Sequence, residues 1–190
     1  QAFANSCNGA FAQIGLGLDK AGFGELAEQL LYNRQLPLSL PYSESSFAMT
    51  AEADTWETLQ TAIGQGRTQV TPVHQTMITA AIANGGTLMK PYLIDRVESA
   101  GGQEGKKFMP SAWGELMTAK EAADLTEFMR NVVATGTGSA LRTDAYTVAG
   151  KTGSAEFETG RETHAWFTGF APAESPKIAV TVIVEEGGSG

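Results

Sequence analysis

The 190-residue chain carries 13 Lys+Arg against 21 Asp+Glu, a formal charge of −8, and is 42% apolar. That balance leaves no basic stripe for a nucleic-acid backbone, and the apolar share suits one packed domain rather than a disordered segment. Cys7 as the lone cysteine excludes an internal disulfide, the distant His74 and His164 make no zinc signature, and no apolar run of about 18 residues occurs.

In chain order, Asn5 to Tyr32 is expected to form two helices. Phe11, Ile14 and Leu18 share one face, and Leu26, Leu30 and Leu31 follow a break at Ala21-Gly22-Phe23-Gly24. Ser6 stands where an N-cap would stand. Residues 33–56, with Pro37 and Pro41, read as a long surface loop. Thr71-Pro72 opens a helix with Val73, Met77, Ile78, Ala81 and Ile82 at helical spacing, and Asn84-Gly85-Gly86 closes it. Thr87 to Glu98 reads as one or two strands around Pro91, and Gly101 to Gly105 as a turn. Thr118, with Glu121 three residues on, is a capping box. The helix it starts is expected to point Leu125, Phe128, Met129, Val132 and Val133 inward and to end at Thr135-Gly136-Thr137-Gly138. Tyr146–Ala149, Ala165–Ala171 and Ile178–Val184 read as three strands whose short links favour antiparallel pairing. Helices first and strands last indicate an α+β fold.

Gly150-Lys151-Thr152-Gly153 invites a phosphate-loop reading, which fails on spacing. That motif needs a further glycine where position 145 is alanine, and strand-like sequence replaces the helix that should follow. What remains is a cation with the hydroxyls of Thr152 and Ser154 beside it, at the end of the apolar strand Tyr146–Ala149. Such a group is suited to hold a carboxylate, while Gly153 lets an extended substrate lie against the backbone. The same residues also fit an exposed strand end with a solvated lysine. Other conspicuous residues have plain structural readings. Cys7 is expected to be a small packed hydrophobe, His74 an edge or packed side chain of its helix, and His164 a structural hydrogen-bonding group near the site. Trp166, Phe167 and Phe170 read as packing, and Glu156, Glu158, Arg161 and Glu162 as turn decoration.

In context, Ala149-Gly150-Lys151-Thr152-Gly153-Ser154-Ala155-Glu156 resembles the third motif of the penicillin-binding proteins and serine β-lactamases, and Ser6-Cys7-Asn8 resembles their Ser-x-Asn motif. Three further stretches are similar to those of high-molecular-mass transpeptidases. They are Ile63-Gly64-Gln65-Gly66 leading to Val70-Thr71-Pro72, then Ala83-Asn84-Gly85-Gly86, and His164-Ala165-Trp166-Phe167-Thr168-Gly169-Phe170-Ala171-Pro172. The ordered set runs from Ser6 to Gly190. The family's first motif, Ser-x-x-Lys, is absent: no serine has lysine three positions later, and Thr87-Leu88-Met89-Lys90 falls after Ser-x-Asn rather than before it. The expectation is therefore a single partial domain over 1–190, truncated at both ends, without the nucleophile segment and the final helix of the family.

The resemblance implies a penicillin-binding protein transpeptidase (β-lactamase-like) fold and a peptidoglycan D,D-transpeptidase of the monofunctional type. Its substrates would be D-Ala-D-Ala stem peptides, with β-lactams as mimics, and neither cofactor nor metal is implied. Ser6 would relay protons, Asn8 would bind the substrate amide, and Lys151 would keep the site positive. Thr152 and Ser154 would hold the terminal carboxylate, with Gly153 leaving room. The nucleophilic serine and its lysine would lie upstream of this chain, which alone would be inactive. A membrane anchor outside the chain and an extracytoplasmic location are implied for the full-length protein. The alternatives within the same fold are a penicillin-sensing receptor domain, a D,D-carboxypeptidase or a β-lactamase. The strand Ile178–Val184 is expected to offer an apolar edge for self-association.

Overall fold

The computed structural model describes all residues, Gln1–Gly190. Helices α1 (Asn8–Leu16), α2 (Lys20–Gln29), α3 (Thr55–Ala62) and α4 (Pro72–Ala83) come first. Four short strands follow: β1 (Thr87–Met89), β2 (Arg96–Glu98), β3 (Glu104–Lys107) and β4 (Ala112–Glu115). Then come α5 (Ala119–Thr135) and the strands β5 (Ala149–Ala155), β6 (His164–Ala171) and β7 (Ile178–Val184). The main sheet has the order β5-β6-β7 and is antiparallel throughout, while β1 pairs β4 and β2 pairs β3 in two small ribbons. The α+β expectation therefore holds, and no helix is long and apolar enough to cross a membrane.

Side-chain caps set most helix starts. Asp19, Asp54, Thr71 and Thr118 accept from the backbone N–H of Gly22, Glu57, His74 and Glu121 respectively, and the Thr118–Glu121 capping box is complete. These caps explain two departures from the sequence reading. The break between the first helices falls at residues 17–19 rather than 21–24, because Asp19 caps α2 there, while Gly22 and Gly24, at about 1 kcal/mol each, weaken the helix without ending it. The expected loop also ends in α3, whose start is fixed by Asp54. Gly15 of α1 lets α3 approach closely, since a Cβ there would lie 2.3 Å from that of Ala62.

Lys-Thr-Gly does not stand beyond a strand at 146–149. The pairing of β5 with β6 runs from Ala149↔Phe170 to Ala155↔His164, so Lys151 faces Thr168 in the middle of the strand. Gly150 is compatible with this strand because the Phe167 ring fills its side-chain space, 2.5 Å from where a Cβ would be. Likewise, β3 begins inside the expected turn 101–105, and β4 was not foreseen.

Two apolar clusters form the core. Leu31, Leu36, Met77, Ala81, Leu88 and Leu116 bury the helical half, and Met129, Ala149, Phe170 and Ala173 join α5 to the sheet. Phe128, expected inward on α5, is instead 50% exposed, with its ring 5.8 Å from that of Phe3. Between α4 and the sheet, fully buried Thr79 shares a hydrogen bond with Thr168 at 2.6 Å, and Thr168 with Thr181 at 2.8 Å. This hydroxyl line satisfies buried polar groups while pinning α4 across β6 and β7.

Candidate active site

The site forms where the N-terminal turn meets β5. The turn is held by Cys7 N–H donating to Ala2 O at 3.0 Å, and it is anchored by Thr137 N–H donating to Ala4 O at 3.1 Å. Gly136 makes that approach possible, since a Cβ on it would lie 2.0 Å from Ala4 O. Ser6 takes φ +49° in this turn and is not the helix cap expected of it. Cys7 occupies the N-cap position without a side-chain cap bond, and its thiol is exposed rather than packed because the helix start faces solvent. The Ser6 hydroxyl is turned instead toward β5.

There Lys151 Nζ donates to Ser6 Oγ, and to Thr152 O at 2.8 Å, and lies 5.8 Å from the centre of the Phe3 ring. Burial strips water from this ammonium and pushes its pKa below the ordinary lysine value. An ammonium has donors only, so Ser6 Oγ is the acceptor in this contact and its own proton is left to be donated elsewhere. Lysine and serine thus form a preset donor–acceptor pair.

The rest of β5 presents polar groups along the edge that β6 leaves open. Thr152 Oγ1 lies 2.7 Å from Thr137 Oγ1. Exposed Ser154 accepts at its Oγ from the backbone N–H of Gly190 at 3.1 Å. Its carbonyl accepts from Gln65 Nε2 at 2.8 Å, and Gln65 Oε1 accepts from Glu156 N–H at 3.1 Å. Asn8 stands exposed as the first residue of α1, close in sequence to Ser6. Of the residues singled out from sequence, Ser6 and Lys151 are in direct contact, with Thr152, Gly153 and Ser154 following Lys151 along the same strand. Phe3, Gln65 and Thr137 were missed as site residues. Only the Gly-rich settings of Gln65 and Thr137 signalled that backbone comes close there.

Both histidines are structural. His74 is fully buried, its Nε2 2.7 Å from Leu30 O and its ring 4.9 Å from Tyr32, and desolvation lowers its pKa. His164 accepts at Nδ1 from Glu186 N–H at 3.1 Å and stacks on Phe157 at 4.1 Å. No group of three or more His, Cys, Asp or Glu is placed to hold a metal ion.

The family model of the penicillin binding protein transpeptidase domain matches residues 1–190. This chain belongs to that family. Among curated members, it is similar to the peptidoglycan D,D-transpeptidase PbpA of Mycolicibacterium smegmatis, 32% identical over 99% of this chain and 38% of that protein. It is also similar to PbpA of Mycobacterium tuberculosis, at 34% identity over 98% of this chain and 38% of the relative. This member of the transpeptidase family therefore spans about two-fifths of the length of these relatives. Among solved structures, the D,D-transpeptidase domain of a peptidoglycan glycosyltransferase from Eggerthella lenta superposes with a TM-score of 0.91 at 30% identity, over 98% of this chain and 48% of that one. The imipenem acyl-enzyme of penicillin-binding protein A from M. tuberculosis gives 0.88 at 32% identity, over 99% and 42%. The fold expected from sequence is thereby shown.

Proposed function

We propose that this chain forms one wall of the active site of a peptidoglycan D,D-transpeptidase, a partial domain of a longer penicillin-binding protein. The observation that carries this reading is the Lys151–Ser6 contact beside an open strand edge. A serine hydroxyl needs a nearby base to become a nucleophile. No Ser-x-x-Lys occurs in these residues, so the nucleophile and its lysine are assigned to a part of the protein outside them.

That serine oxygen attacks the carbonyl of the penultimate D-Ala of a stem peptide. A C–O bond forms, the C–N bond breaks, and the serine proton passes to the departing D-Ala amine. Ser6 is suited to relay it, because the Lys151 contact leaves its own O–H free to donate. The Ser154 N–H supplies one oxyanion donor, worth about 3 kcal/mol in such sites. Lys151 with the Thr152 and Ser154 hydroxyls attracts and holds the terminal carboxylate, and Asn8 hydrogen-bonds the donor's amide. An amine of a second stem peptide then takes the acyl group and the serine regains its proton. β-Lactams enter as mimics of the donor and stop at the acyl-enzyme. Such chemistry belongs on the outer face of the cytoplasmic membrane, with the protein anchored by a segment outside these residues.

Intact-mass spectrometry after incubation with a penicillin tests the reading. A single covalent adduct on the full-length protein, and none on the 190-residue chain, is expected. An adduct on the chain alone would place the nucleophile within it, and no adduct on the full-length protein would overturn the assignment.

A further inference from the structure

The carboxamide of Gln65 occupies the open edge of β5 next to the reacting centre. Ser154 C=O and Glu156 N–H flank Ala155 and point away from β6, and a single side-chain amide satisfies both, at 2.8 Å and 3.1 Å. In an added strand, an N–H of the chain would meet the first of these groups and a C=O the second. Gln65 thus stands in for one N–H and one C=O of a bound chain. Its position is built rather than incidental. Gly64 and Gly66 on either side adopt φ +78° and +81°, a tight turn at the end of α3, and Gln65 N–H donates to Gln60 O at 2.8 Å. The side chain is half-buried, and an Arg67–Glu57 ion pair ties the same turn back to α3.

The direction of a donor along β5 follows from burial. Ala149 and Gly150 are buried, so the edge is closed at that end. A peptide whose terminal carboxylate sits at Thr152 can extend only past Ser154 toward Glu156. The next pairing position it meets is already filled.

We propose that Gln65 is the end stop of the donor groove. The acyl donor pairs with β5 as far as Ser154, whose carbonyl keeps a second lone pair for the donor's amide. The residues preceding the D-Ala pair find Glu156 N–H taken and leave the strand edge. Gln65 is then a specificity-determining residue that limits how much of the stem peptide is read by backbone pairing. The inference rests on the D,D-transpeptidase reading of the same site.

The test compares D-Ala release by the full-length enzyme from an N-acylated D-Ala-D-Ala dipeptide and from a pentapeptide ending in the same pair. Gln65→Ala frees the Glu156 N–H. Gln65→Asn does so with a conservative change, being one methylene too short to reach. Both variants are expected to raise the ratio of kcat/KM for the long donor over the short one roughly fivefold, as one recovered hydrogen bond would. An unchanged ratio, or a parallel fall with both donors, would overturn the end-stop role and leave Gln65 as a brace of β5. A wild-type full-length enzyme that penicillin fails to acylate would overturn the functional reading itself, and that would be seen before any variant is compared.

Discussion

Lys151 Nζ donates a hydrogen bond to Ser6 Oγ, joining residues 145 positions apart in sequence. Only the ammonium form brings a positive charge and donates without accepting, and desolvation places the Lys151 pKa below the ordinary 10.5. A group with a lowered pKa loses its proton earlier as pH rises, so penicillin acylation of the full-length protein should decline on an alkaline limb that begins below that value. Lys151→Arg, whose charge persists to higher pH, should move the limb upward even where it slows the reaction. Lys151→Ala should cost about 10²–10³ in acylation rate, the scale of a lost electrostatic stabiliser. A pH profile of acylation that is the same for wild type and Lys151→Arg would contradict this assignment.

Gly136 lets the backbone of the Ser6 turn approach the end of α5. A methyl there would lie 2.0 Å from Ala4 O and 2.7 Å from Ala4 C, both backbone atoms that cannot swing aside. Gly136→Ala should therefore displace the turn that carries Ser6 and destabilise the protein by roughly 1–3 kcal/mol, the range for overpacking. Penicillin labelling of the full-length protein reports the first effect and thermal melting the second. Loss of stability with full labelling would show that the turn is held by other contacts.

Much of this was legible in the sequence where one chemical device acts alone. The Thr71-Pro72 start, the Thr118–Glu121 box and the alternating β7 strand each carry their own signal, and each was found where expected. The failures occur where a distant partner decides. β5 is a strand through Gly150, Lys151 and Gly153 because β6 supplies a complete ladder and the Phe167 ring covers Gly150. Ser6 is turned from the capping role by Lys151. Phe128 lies against the Phe3 ring of the N-terminal turn, a partner 125 positions away, instead of in the core. Lys151 and Ser6 were readable as motif members, but Thr137 and Gln65 act through contacts at 15 and 89 positions' separation that no periodicity encodes.

Thr137 Oγ1 sits 2.7 Å from Thr152 Oγ1 and fixes the hydroxyl assigned to the donor carboxylate. Thr137→Val keeps the shape and removes the partner. The expected result is a rise of about fivefold in KM for a D-Ala-D-Ala donor with kcat little changed, since one hydrogen bond is worth about 1 kcal/mol. Thr137→Ser should restore the wild-type value. Equal KM values for all three would show that Thr152 is held without Thr137.

His74 couples stability to pH. Its folded pKa is lowered by burial, so the unfolded chain binds the extra proton first as the solution is acidified. The contribution of neutral His74 is complete above the ordinary value of 6.5 and is lost as pH falls from there through the lower folded pKa. His74→Gln keeps a side-chain donor within reach of Leu30 O and cannot titrate. Urea denaturation at several pH values should give a shallower acid-side loss for the variant than for wild type. Parallel curves would assign that loss to carboxylates instead.

The outer edge of β7 is unpaired in the sheet order β5-β6-β7, and Ile178, Val180, Val182 and Val184 are 62%, 38%, 50% and 54% exposed along it. Unpaired backbone donors and acceptors beside a row of β-branched side chains form a template for another strand, and no lysine or proline interrupts the run. The 190-residue chain should therefore associate with itself as its concentration rises. Val182→Lys puts a charge in the middle of the row, where pairing two copies would bring like charges together and desolvate them. Sedimentation velocity should show wild type shifting to larger species with concentration and the variant staying monomeric. A wild-type chain that sediments as a monomer at every concentration would mean that the twist or side chains of β7 already block pairing.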